Sequence, residues 1–129
     1  MAPLVSIVDD DISVRRSLNR LIRSVLLDVS VFASAEEFLA SDHLRKADCL
    51  ILDVRLPGMS GVELHHHLLA SRYDVPVIFI TAHGSDDRLR SEAASDWTVA
   101  YLTKPFCGDE LLEAVQTALK WKPGDQGNN

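Results

Sequence analysis

Five short apolar runs alternate along the chain with five stretches in which apolar residues return every three or four positions. The runs Leu4–Val8, Val29–Phe32, Cys49–Asp53, Val75–Ile80 and Val99–Thr103 have strand length and strand composition. Cys49-Leu50-Ile51-Leu52 is apolar without alternation, which suits a strand covered on both faces, as in a parallel sheet. In the first periodic stretch Val14, Leu18, Leu21, Ile22 and Val25 share one side, with Arg15, Arg16, Arg20 and Arg23 on the other. That spacing predicts an amphipathic helix from about Ile12 to Leu26. Ser34-Ala35-Glu36-Glu37 has the form of a capping box opening a short second helix, with Phe38 and Leu39 inward. Leu64 and Leu68 mark a third helix, from the Gly61 turn to about Arg72.

The fourth helix, capped by Ser85 or Asp86 and running to about Ser95, offers only Leu89, Ala93 and Ala94 for burial. So thin a stripe makes it the least firmly anchored of the set. The fifth, from about Asp109 to Trp121, turns Leu111, Leu112, Val115, Ala118 and Leu119 inward before Pro123 stops it. Strands and helices in this order predict an α/β fold, a doubly wound parallel sheet with helices on both faces. Residues 3–122 form the expected domain, and 123–129 a polar C-terminal tail or truncated linker.

Composition narrows the function. A chain of 129 residues with 47% hydrophobic and 25% charged residues is expected to be one globular domain. The net charge of −6 argues against a phosphate-facing basic surface, and so against direct nucleic-acid binding. Cys49 and Cys107 have neither metal-ligand spacing nor a disulfide framework and read as reduced, packed thiols. No apolar run approaches membrane-spanning length and none resembles a leader, so the expectation is a soluble cytoplasmic protein. His65, His66 and His67 point about 100° apart around a helix and cannot converge on one ion, so they read as a solvated face. Gly58-Met59-Ser60-Gly61 matches neither the Walker nor the dinucleotide pattern, which disfavours nucleotide binding.

The strand ends carry the chemistry. The first strand runs into Asp9, Asp10 and Asp11, the third ends on Asp53, the fourth on Thr81 and the fifth on Lys104. Asp53 alone could simply start a turn, which aspartate does well. If the strands lie side by side, however, Asp9, Asp10, Asp53, Thr81 and Lys104 share one crevice. Carboxylates crowded there repel by about 4 kcal/mol per pair at ~4 Å and an effective dielectric of ~20. Such a cluster wants a cation, and oxygen-only ligands favour Mg2+ (or Mn2+), which leaves positions open for a phosphate. Lys104 supplies a compact positive charge and Thr81 a hydroxyl donor, both suited to phosphoryl oxygens. With no Ser/His/Asp order and no nucleophilic-cysteine setting, Asp53 is the remaining nucleophile, able to become an aspartyl phosphate.

The series Val8-Asp9-Asp10, Leu52-Asp53, Leu56-Pro57-Gly58-Met59-Ser60-Gly61, Ile80-Thr81-Ala82 and Tyr101-Leu102-Thr103-Lys104-Pro105-Phe106 resembles the receiver domain of two-component response regulators. It is most similar to FixJ/NarL-type receivers. The resemblance implies a flavodoxin-like sheet of order 2-1-3-4-5. It also implies that Asp53 accepts a phosphoryl group from a sensor histidine kinase, with Asp10, Asp53 and the main-chain carbonyl of Arg55 on Mg2+ and Asp9 acting through water. Lys104, joined to Pro105 by a cis bond, would pair with the phosphoryl group, while Thr81 and Tyr101 would act as the switch pair. Asp11 is better read as a helix N-cap or N-terminal dipole partner than as a ligand. Arg55 and His83 stand where the family tunes phosphoryl lifetime.

Phosphorylation would switch the face of the fourth helix, fifth strand and fifth helix. That face would control homodimerisation through the fourth helix and fifth strand, or an output DNA-binding domain outside this chain. Such a chain is a signalling domain that catalyses only its own modification and its slow reversal. Two departures stand out: Trp97-Thr98 replaces the family's Gly-Ala, and Leu26 replaces a glycine after the first helix. Both positions are expected to be remodelled, because glycine there permits a left-handed cap. The rival readings are a degenerate receiver binding partners independently of phosphorylation, and a Mg2+-dependent phosphohydrolase.

Overall fold

The computed structural model describes residues 2–41, 46–82 and 87–122; Ser85, Asp86, His83 and the tail from Pro123 lie outside the described residues. Five strands form one parallel sheet: β1 (Leu4–Val8), β2 (Asp28–Phe32), β3 (Cys49–Asp53), β4 (Val77–Thr81) and β5 (Thr98–Thr103). Their order is β2-β1-β3-β4-β5. The helices are α1 (Ile12–Arg23), α2 (Ala35–Leu39), α3 (Gly61–Ala70), α4 (Asp87–Ala93) and α5 (Gly108–Leu119).

The two-residue period of the strands sorts the core into two layers. On one face Leu50, Leu52, Phe79 and Val8 pack with Phe38 of α2, Leu64 and Leu68 of α3 and Ala93 of α4. On the other, Cys49, Ile51, Ile78, Ile80, Val5 and Ile7 pack with Leu18 and Ile22 of α1 and Leu111, Val115 and Ala118 of α5. Every residue of β3 and of β4 is buried, as the unbroken apolar run of β3 predicted. Each fully buried Leu, Ile or Phe contributes about 1.5–3 kcal/mol, so this double-sided centre dominates the stability.

Several helix ends differ from the expectation. The first helix stops at Arg23, with Ser24 as its C-cap, because Leu26 takes a left-handed conformation at φ 67°. The left-handed turn is therefore kept without glycine, and the Leu26 side chain is 85% exposed. Arg72 ends α3 in the same way at φ 59°, two residues beyond Ala70. The fifth helix begins at Gly108 and ends at Leu119, short of Trp121, whose indole Nε1–H donates to the carbonyl of Asp96 at 2.7 Å. Trp97 is half-buried and its φ is not positive. Its N–H donates instead to the Ser95 hydroxyl at 3.1 Å, so a side-chain turn replaces the glycine geometry.

Two readings of side-chain environment are corrected. Cys49 is buried, but Cys107 is exposed, because it occupies the N-cap of α5 outside the core layer. His65 is buried, 1% exposed, where a solvated face was expected. Its side of α3 is covered by α4 and the turn after it, with its Nε2 2.8 Å from the Ser95 hydroxyl.

Candidate functional site

The strand order decides where a site can form. From β1 the chain crosses by α1 to β2 on one side; from β3 it crosses by α3 to β4 on the other. The crossover helices α1 and α3 therefore cover opposite faces and part above the C-terminal ends of β1 and β3, leaving a crevice. Asp9 directly follows β1 and Asp53 closes β3, so both residues stand at its floor. Pairing of Val8 with Leu52, Asp53 with Ile80 and Thr81 with Thr103 keeps all four strand ends level.

Carboxylate oxygens of Asp9, Asp10 and Asp53 all lie within 4.8 Å of one another. Lys104 Nζ donates to Asp9 Oδ2 and to Asp53 Oδ2, each at 3.1 Å. The remaining oxygens of the two buried aspartates are held by the main chain. Asp9 Oδ1 accepts from the N–H of Asp11 at 2.9 Å, and Asp53 Oδ1 from the N–H of Arg55 at 3.0 Å. Asp9 is fully buried, Asp53 6% exposed, and Asp10 exposed at the rim. Asp11 caps α1, its Oδ1 accepting from the N–H of Ser13 at 2.8 Å.

Burial raises the Asp53 carboxyl above the ordinary carboxylate range, against the lowering effect of the Arg55 N–H; the charge of Asp9 raises it further, and Lys104 lowers it. Burial acts to lower Lys104 too, but its bonds to Asp9 and the charges of Asp53 and Asp9 outweigh this and raise it. Lys104 therefore stays cationic at neutral pH. Three carboxylates against the Lys104 ammonium and the Arg15 guanidinium, which donates to the main-chain carbonyl of Asp9 at 2.7 Å, still leave an excess of negative charge with only oxygen ligands. That set fits a hard divalent cation of the Mg2+ kind.

Thr81 is fully buried at the end of β4, and its carbonyl accepts from the N–H of Lys104 at 2.7 Å. The Lys104–Pro105 bond is cis. Tyr101 sits half-buried on β5, its ring 6.2 Å from that of Phe79 and its hydroxyl out of solvent. The Arg90 guanidinium lies over the ring at 5.1 Å. The structure thus gathers Asp9, Asp10, Asp53 and Lys104 into one cluster, with Thr81 level beside it and Tyr101 one strand pair away.

The loop after β3 has requirements that the strand pattern did not reveal. The Gly61 N–H returns to the carbonyl of Val54 at 3.0 Å, and a Cβ at this position would fall on the main-chain carbonyl of Asp53. Gly58 takes φ 75°. Glu36 of α2 accepts from the N–H of Met59 at 2.9 Å, a bond that holds its carboxyl below the usual range. Ser60 and Glu63 complete a reciprocal capping box at the start of α3. The S-x-x-E spacing at 60–63 was the available signal for that cap; nothing local flags Glu36.

A profile of the response regulator receiver domain matches residues 5–116. Nodulation protein W of Bradyrhizobium diazoefficiens is 47% identical over 115 residues, which cover 89% of this chain and 50% of that protein. Response regulator protein TodT of Pseudomonas putida is 40% identical over 127 residues, covering 98% and 56%. The crystal structure of FixJ-N superposes with a TM-score of 0.81 at 36% identity, covering 93% of this chain and 95% of that one. The chain spans about half the length of the curated relatives it matches.

Proposed function

Because the chain belongs to the response regulator receiver domain family, we propose that it is a phosphorylation-activated switch whose phosphoacceptor is Asp53. The observation that carries this reading is the bridge from Lys104 to Asp9 and Asp53 within the acidic cluster. A carboxylate of Asp53 attacks the phosphorus of a phosphohistidine; the P–N bond breaks, and the imidazole keeps the electron pair. Lys104, already bonded to Asp53, balances the charge gathering on the phosphoryl oxygens. Asp10, Asp53 and the carbonyl of Arg55, with Asp9 through a water, would hold Mg2+ (or Mn2+), which would supply further positive charge to those oxygens. Thr81 and Tyr101 serve as the switch pair: Thr81 ends β4 beside Asp53, where a new dianionic group would sit, and Tyr101 lies on the neighbouring β5 opposite Phe79.

The donor is a sensor histidine kinase. A groove of about 830 Å³ runs from Lys104, Pro105 and Phe106 along Val14, Leu18, Leu21 and Arg20 of α1, an apolar seat with a basic margin beside the acidic site. The readout is homodimerisation through α4 and β5, or control of a DNA-binding output domain outside the 129 residues, in a cytoplasmic transcription regulator. No helix among the described residues is long and apolar enough to cross a membrane. The domain is a signalling module, with catalysis confined to its own phosphorylation and slow aspartyl-phosphate hydrolysis.

Incubation with acetyl phosphate and Mg2+, followed by intact mass, should add one phosphoryl group to the wild type and none to Asp53→Asn. Sizing with beryllofluoride should report the dimer. No mass gain in wild type, or an equal gain in the variant, overturns the reading in favour of a phosphorylation-independent interaction module. Multiple-turnover hydrolysis of a phosphate ester would instead make it a phosphohydrolase.

A further inference from the structure

Helix α4 ends against two histidines of α3. His66 Nε2 lies 2.8 Å from the carbonyl oxygen of Glu92, which can only accept, so His66 donates. His65 Nε2 lies 2.8 Å from the Ser95 hydroxyl, which is 3.2 Å from the Thr98 hydroxyl. Thr98 donates its one hydroxyl proton to the carbonyl of Ala93 at 2.6 Å. The Ser95–Thr98 contact therefore needs the Ser95 proton, and Ser95 in turn accepts from the N–H of Trp97 at 3.1 Å and from His65. Only one direction uses every proton: His65 Nε2–H to Ser95, Ser95 to Thr98, Thr98 to Ala93. Glu92 and Ala93 carry two of the carbonyls that a helix C-terminus leaves without intrahelical partners.

A second route joins the same elements. The His65 ring packs edge-on to Phe79 at 5.4 Å, Phe79 meets Tyr101 at 6.2 Å, and Arg90 of α4 lies over Tyr101. We propose that His65 and His66 are positioning residues which clamp the C-terminal end of α4 and hold the switch face in the state that precedes phosphoryl transfer. The regulatory half rests on the receiver reading given above. The clamp is present in the unmodified state, in which Lys104 is engaged by Asp9 and Asp53 themselves, and its release in the modified state is part of the proposal. An interaction made in only one of two states favours that state by its own free energy, so releasing the clamp moves the equilibrium toward the modified one.

The test uses His65→Leu, which removes the donor, His65→Gln, whose amide N–H can restore it, and Ser95→Ala, which cuts the relay without changing α3. Hydrogen exchange of the α4 amides, read without metal or phosphate, should quicken about fivefold in His65→Leu and Ser95→Ala and stay near wild type in His65→Gln. Beryllofluoride with Mg2+ should bind His65→Leu and Ser95→Ala about fivefold more tightly than wild type, and His65→Gln as wild type. Unchanged exchange in Ser95→Ala, or His65→Gln behaving as His65→Leu, overturns the clamp. Faster exchange with unchanged beryllofluoride affinity overturns its regulatory part. Failure of wild type to bind beryllofluoride would count against the receiver reading, while exchange still judges the clamp; if His65→Leu does not fold, Ser95→Ala decides.

Discussion

The centre of the sheet and its β5 margin are held by different forces. β3 is buried along its whole length and ends on a carboxylate whose two oxygens are fixed by Arg55 and Lys104. β5 leaves its first four residues half-exposed, and the helix beside it is tied at its end by hydrogen bonds from His66 and through Ser95 and Thr98. Apolar burial is non-directional and lost only by unpacking, whereas a few hydrogen bonds, each worth about 1 kcal/mol net, can be exchanged for others at small cost. The acidic site thus takes Asp9 and Asp53 from the fully buried centre and Lys104 from the end of the half-exposed β5, where fewer side chains are buried.

The largest expected effect tests that contrast directly. Leu52→Ala, deep in one core layer, should cost about 3–4 kcal/mol, and Val99→Ala on half-exposed β5 about 1 kcal/mol, both from urea unfolding. Equal losses would erase the distinction between the two regions.

The same contrast explains what was legible in the sequence. Central strands must be apolar on both faces, so β3 and β4 declared themselves, and their last residues named Asp53 and Thr81 as neighbours. Asp9, Asp10 and Lys104 followed from the same reasoning about parallel strand ends. The β5 margin was less legible, because polar bonds between distant side chains leave no periodic trace. Three consecutive histidines look alike in sequence, yet His65 is buried, His66 is turned to a main-chain carbonyl and His67 is exposed. Helix ends were blurred for a related reason: Val25 and Leu26 continue the apolar pattern of α1, and only the backbone reveals that Leu26 has left the helix.

A smaller effect sharpens the histidine side of the comparison. Burial, with the charge of His66 beside it, holds His65 down to about 4, against about 6.5 for an unfolded histidine. Between those values the unfolded chain binds a proton that folded His65 refuses, so stability is lost as pH falls from about 6.5 toward 4. Histidine content aside, His65→Gln should retain the donor while removing this loss. Thermal unfolding of both proteins across that range is the measurement, with the other histidines common to each; parallel curves would mean that His65 is not shielded from solvent as its burial implies.

The smallest effect lies in the firm half, where one position departs from the apolar rule. Ser6 in the middle of β1 is fully buried, and its hydroxyl has no hydrogen-bond partner among the described residues. Folding strips that hydroxyl of water and returns nothing, a cost of about 1–3 kcal/mol, against which alanine loses only the packing of one oxygen atom. Ser6→Ala should therefore be slightly more stable, by about 1 kcal/mol, in urea unfolding. A loss of stability instead would mean that the hydroxyl is bonded in solution and that the centre of the sheet, like its margin, relies on a polar contact.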